Sequence, residues 1–146
     1  MPSSKTAELR ASRGRQDSAI QYNERAWHRA THGVELDEAL ADADRSLALA
    51  PGDYHALDTR GYVLLQLGRV DSALSDFKAS VAADSNPQRD LHPGENVYHL
   101  ALALEHTGDR AGADSSFKRA IRFYYRPTYE AVLTPEAQRQ KRLVKP

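Results

Sequence analysis

There is no cysteine among the 146 residues, which excludes disulfides and thiol chemistry and leaves the compartment undecided. Tryptophan and methionine occur once each. No apolar run approaches the ~18 residues that a membrane-spanning helix needs. Met1 to Gln16 carries Lys5, Arg10, Arg13 and Arg15 but no apolar block, so it does not read as a secretory signal, and a cytoplasmic protein is the expectation. Gly-rich phosphate loops of the common patterns are missing. No nucleophile stands on a strained turn or beside oxyanion donors. The sequence therefore predicts no catalytic residue, no cofactor and no metal. A basic body is missing too. The net charge is zero, but residues 1–16 and 136–146 each carry +3, which leaves −6 for residues 17–135. A nucleic-acid surface needs clustered positive charge on the folded part, so nucleic acid is not expected as a partner. The basic ends read as solvated tails.

What is present is repetition. Ala39 and Ala73 lie 34 residues apart, as do Ser46 and Ser80. Leu40-x-x-Ala43-x-x-Ser46-Leu47 is echoed by Leu74-x-x-Phe77-x-x-Ser80-Val81, and a third copy with Ala113, Phe117, Ala120 and Ile121 follows after 40 residues. A period of 34 with small residues around a ring or a small apolar side chain marks a helix-turn-helix array. Apolar positions spaced by three and four give one helix from about Asp17 to Gly33, followed by helices around Leu36–Ala50, Leu57–Leu67, Val70–Val81, Val97–Leu104 and Ala113–Tyr124. Breaks are expected near residues 33, 51, 68, 84–94, 108 and 126, where Gly or Pro punctuates the pattern. The stretch 84–94 is a longer loop, which accounts for 40 residues in place of 34. Thr134-Pro135-Glu136 reads as the start of a last, capping helix. The expected organisation is a disordered basic arm over 1–16, three repeats over 17–133 (17–53, 54–93 and 94–126 plus a connector 127–133), and a capping helix with tail over 134–146. Arg122-Phe123-Tyr124-Tyr125-Arg126 is expected to pack under that cap rather than to stack on bases.

These residues resemble the tetratricopeptide-repeat (TPR) family, over about Ile20 to Tyr125. Repeat two is nearest the family pattern, with Leu57, Gly61, Leu64, Gly68, Ala73, Phe77 and Ser80. Repeat three keeps Leu100, Ala101, Leu104, Gly108, Ala113, Phe117 and Ala120. Repeat one departs, with Trp27 where a small residue is expected and Ala43 where an aromatic is expected. Its segment Asn23-x-x-Ala26-Trp27-x-x-Ala30-Thr31 is similar to an opening repeat found in bacterial TPR proteins. The resemblance implies an all-α, right-handed superhelix that acts as a non-catalytic scaffold or adaptor. The family's clamp for chaperone C-terminal tails uses Lys, Arg and Asn. The corresponding positions here are Glu24, His28, Tyr62, Tyr98 and Leu102, so that ligand is not expected.

The repeat alignment places Glu24, His28, His55, Asp58, Tyr62, Leu65, Tyr98, Leu102, Glu105 and His106 on the concave face of the first helices. That face is aromatic and acidic, without lysine or arginine. It predicts a peptide or protein partner with basic and apolar side chains, with Tyr62 and Tyr98 as anchors. The alternative is a structural or oligomerisation unit whose groove holds its own basic terminus or a neighbouring subunit, that is, a homo-oligomer. His28 and His32 stand four apart, the spacing of a two-histidine metal pair with Glu24, His55 or Asp58 as a third ligand. Polar residues lining a wet groove explain them as well.

Overall fold

The computed structural model describes residues 3–85 and 94–122. These form six helices: α1 (Ser4–His32), α2 (Leu36–Leu49), α3 (Tyr54–Gln66), α4 (Val70–Ala83), α5 (Glu95–His106) and α6 (Arg110–Arg122). They pair as three helix-turn-helix units, α1 with α2, α3 with α4 and α5 with α6, and the first helices stack α1 on α3 on α5. This is an all-α, TPR-like repeat. The expected capping helix over 134–146, the loop residues 86–93 and the aromatic stretch beyond Arg122 lie outside the described residues.

Each hairpin joint closes in the same way. Gly33, Gly68 and Gly108 adopt a left-handed φ. Each donates its N–H three residues back, to Ala30, Leu65 and Glu105, while the next residue bonds Arg29, Leu64 and Leu104. That pattern satisfies carbonyls left open at a helix end and needs the conformation glycine adopts without strain. Between its glycine and the next helix the first joint has two residues where the second has one, and Glu35 sits in it at φ 48°, the only left-handed non-glycine among the described residues.

That extra residue resets the register. On the second helices Ser46 and Ser80 are 34 apart, yet Ser46 Oγ donates to the Ala19 carbonyl (2.8 Å) and Ser80 Oγ to the Tyr54 carbonyl (2.7 Å). On the first helices the offset is therefore 35. Ala26, Gly61 and Ala101 become equivalent small positions, and Trp27 aligns with Tyr62 and Leu102. Trp27 thus does not occupy the small position expected of it. Ala43 does stand where repeats two and three have Phe77 and Phe117, and all three are fully buried. Gly61 shows why a small residue is needed: a Cβ there would lie 2.6 Å from the Phe77 ring.

The core runs as a chain of clusters through the repeats. Ala30, Ala39 and Val63 form the first. Leu64, Ala73, Phe77 and Ala103 form the second, and Val97, Tyr98, Ala101, Ala113, Phe117 and Ala120 the third. A repeating ion pair braces the opposite faces of the first two hairpins. Arg25 bonds both oxygens of buried Asp42 (2.6 Å each), with Arg29 joining at 2.6 Å. Arg60 bonds both oxygens of Asp76 (2.7 and 2.9 Å). The third hairpin carries Leu100 and Ser116 at those positions.

One expectation fails at the start of the chain. The basic arm is helical from Ser4, not disordered: Ser3 Oγ accepts the Thr6 N–H (3.2 Å), and α1 then runs unbroken for 29 residues. Lys, Ala, Glu, Leu, Arg and Gln are strong helix formers, and a helix already nucleated in the body extends into them at little cost. Apolar periodicity could not reveal this, because the segment packs on nothing: residues 3–17 are exposed except Thr6, which is half-buried.

Candidate peptide-binding face

A cluster of rings defines the site. The Trp27 ring of α1 lies 5.2 Å from Tyr62 of α3 and 5.8 Å from His99 of α5, centroid to centroid. Rings from α1 and α5 thus meet across α3 on this side of the stack. Tyr62 stands 5.0 Å from His99, and Phe77 packs behind at 5.7 Å. His99 is fully buried, and its Nδ1–H donates to both carboxylate oxygens of Asp58 (2.9 and 3.0 Å). A buried charge is tolerated when it is paired and hydrogen-bonded, and here the pair ties α3 to α5.

The residues expected on this face divide in two. Tyr62, Leu65, Leu102 and Glu105 are half-buried, and Glu24, His28, His55 and His106 are exposed. Asp58 and Tyr98 are interior instead. Asp58 serves His99, and Tyr98 is fully buried with its ring 5.7 Å from Phe117. The reason is the register. Asn23, Asp58 and Tyr98 are equivalent positions, one turn before the row Trp27, Tyr62, Leu102, and that turn faces the packed interior. Tyr98 is therefore a core side chain rather than a contact anchor. Trp27 and His99 were the residues sequence reasoning missed here. Trp27 carried a signal, since counting from Gly33 to Gly68 sets it opposite Tyr62.

The histidine pair does not gather a metal set. The His28 and His32 rings stack at 4.2 Å, and His32 Nδ1 lies 2.7 Å from the His28 carbonyl oxygen. Asp58 is turned away toward His99. Among the described residues no three metal-ligating side chains converge. None of the helices described there is long and apolar enough to cross a membrane.

At the α1 end the face opens into a cleft of about 580 Å³. Ser12, Gln16, Ile20 and Glu24 of α1 form one wall; Leu49, Ala50 and Asp53 at the α2–α3 turn form the other, with His55 beside them.

Between the helices of the first two hairpins the ion pairs set the electrostatics. Hydrogen bonding from Arg25 outweighs burial and, with the charges of Arg29 and Arg45, holds the Asp42 carboxyl below the usual carboxylate range. The hydrogen bond to Asp76 raises the Arg60 guanidinium above its ordinary value, with a contribution from Asp44. These charges are occupied in holding hairpins together.

No family model and no curated protein sequence matches the chain. Solved structures do match in shape. One is "Second TPR of Spaghetti (RPAP3) bound to HSP90 peptide SRMEEVD", with a TM-score of 0.66 at 16% identity, covering 78% of this chain and 98% of that one. The Sgt2 TPR domain from Aspergillus fumigatus gives 0.66 at 17% identity, over 85% of this chain and 77% of that one. The type III secretion translocator chaperone SycD from Yersinia enterocolitica gives 0.65 at 16% identity, over 87% and 81%. At such identity the likeness is one of fold.

Proposed function

We propose that this TPR-like chain is a non-catalytic interaction module whose inner face binds an extended or helical peptide carrying basic and apolar side chains. The observation that carries the reading is the row Trp27, Tyr62 and Leu102 along the inside of the bend, flanked by Glu24 and Glu105. Large rings offer contact area with few rotatable bonds to order, and acids of one sign in a concavity raise the local concentration of a cationic partner. Leu65, His28, His55 and His106 complete the surface. The acidic HSP90 peptide of the RPAP3 complex is a poor model for this ligand. The positions that resemble the clamp hold no lysine or arginine, and a carboxylate-rich tail would meet Glu24 and Glu105.

The test is a displayed random-peptide library selected on wild type and counter-selected on Trp27→Ala and Tyr62→Ala, with both variants shown folded by circular dichroism. Enriched peptides should carry Arg or Lys beside apolar residues, and each alanine variant should weaken them about 10-fold or more, as truncation of a buried aromatic anchor does. Affinity should fall with added salt. Peptides that bind both variants as tightly as wild type would show that the face is not the site.

A further inference from the structure

Among the described residues the start of α1 is exposed apart from half-buried Thr6, and the side chains of Ser12, Arg15 and Gln16 line the cleft. Ser46 meets α1 at Ala19 and α2 ends three residues later at Leu49, so α1 continues past it for about twelve residues, about 18 Å at 1.5 Å per residue. Two of the three large apolar side chains most exposed among the described residues lie on this one helix, Leu9 at 64% and Ile20 at 49%. They are eleven residues apart, which at 100° per residue puts them on the same face. That face reads Lys5, Leu9, Ser12, Gln16, Ile20, Glu24, at spacings of three and four. Four of those six residues line the cleft beside the α2–α3 turn.

We propose that the overhang is a self-association arm: two copies of this chain pair their α1 overhangs antiparallel, each arm lying in the other's cleft. One register pairs both the apolar and the charged residues at the ends of the face. Centred between Gly14 and Arg15, it sets Leu9 of one copy against Ile20 of the other, Arg13 against Gln16, and Lys5 against Glu24. The two-fold repeats each contact, as an isologous interface requires. Leu9 then also meets Leu49 and Ala50, which line the cleft with Ile20. The charges agree on the larger scale. The arm carries +3 and the body it lies against is acidic. The cleft contributes the acids Glu24 and Asp53 beside one arginine, Arg15, and His55, and the ends of α2 and α3 meet there with opposed dipoles. A parallel pairing would oppose Lys5 to Lys5 and Glu24 to Glu24. The interface is small and mostly polar, so the dimer is weak and salt-sensitive. It closes the α1 end of the inner face and leaves Trp27, Tyr62 and Leu102 to the peptide. The arm pairing shares Glu24 with the peptide reading but rests on α1 and the cleft, not on the ring row.

The absence of native cysteine makes the register directly testable on the full-length chain. A mixture of Leu9→Cys and Ile20→Cys chains, mildly oxidised, should give a disulfide-linked dimer, and each variant alone should give little. In sedimentation equilibrium the wild type should dimerise reversibly. Leu9→Glu, which keeps a good helix former off the packed body, should raise the dimer Kd about 10-fold or more through the lost apolar contact. Lys5→Glu should weaken the dimer and Lys5→Glu/Glu24→Lys should restore it. A wild type that remains monomeric at millimolar concentration would overturn the proposal. So would a dimer indifferent to Leu9→Glu, or Leu9→Cys chains that cross-link alone as well as in the mixture.

Discussion

Gly61 has room for nothing larger than a hydrogen. Helix propensity alone favours alanine there by about 1 kcal/mol. The Phe77 ring 2.6 Å from the added Cβ opposes it, and overpacking of a fixed ring costs about 1–3 kcal/mol. Gly61→Ala should therefore lower the urea midpoint, whereas an exposed Gly14→Ala, with open space around its Cβ, should raise it. Ala73, fully buried at the α3–α4 crossing, obeys the same logic. Ala73→Leu should destabilise by about 1–3 kcal/mol and exposed Ala79→Leu by much less; equal midpoints would contradict the packing. Asp42 acts through charge. Its carboxyl is depressed in the folded state, so its contribution is full above the unfolded value of about 3.9 and is lost as pH falls through the lower folded value. Asp42→Asn should cost about 2–3 kcal/mol at pH 7 through the broken charge-assisted bonds. The loss relative to wild type should shrink as pH falls below the unfolded value in a series of urea melts, since the wild-type carboxyl is then progressively protonated.

Between elements, the Asp58–His99 pair is the polar tie from α3 to α5. Removing either partner leaves a buried polar group unanswered, a loss of about 1–3 kcal/mol. A double-mutant cycle on Asp58→Ala and His99→Ala should therefore be strongly non-additive; additive losses would mean that the two side chains stand independently. The tie was not legible in the sequence. Histidine and aspartate separated by 41 residues have no periodic signature, and only the stacking of repeats brings them together. The hairpins themselves were legible, because Gly33, Gly68 and Gly108 and the small–ring–small pattern of the second helices recur at fixed intervals. The inner face was legible only in part. Tyr98 was read as a surface anchor because its packing on Phe117 has no signature in the spacing. Counting 34 residues from the first repeat to the second misassigned α1 by one, so Trp27 was read as a misfit. The cause is one residue, Glu35, inserted in the first joint. The helical arm escaped for another reason: a helix held by propensity and one serine cap has no apolar stripe to betray it.

Taken whole, the described repeats form one continuous stack in which no unit buries its faces alone. Three units are near the minimum such an array needs. Their coupling through Trp27, Tyr62 and His99 should make unfolding a single transition, with helicity and tertiary signals losing structure at the same urea concentration. A tertiary signal that vanishes first would mean that the first hairpin melts separately. The molecule also separates its charges, with an acidic body and basic ends.

The chain contains one tryptophan, and that indole is the ring where α1, α3 and α5 meet. Its emission therefore reports without any label. A peptide laid over Tyr62, or a third hairpin drawing away from the first, would change the polarity around the same fluorophore. Titration of intrinsic fluorescence can thus follow both occupancy of the inner face and tightening of the bend in one optical channel, with Trp27→Phe as its blank.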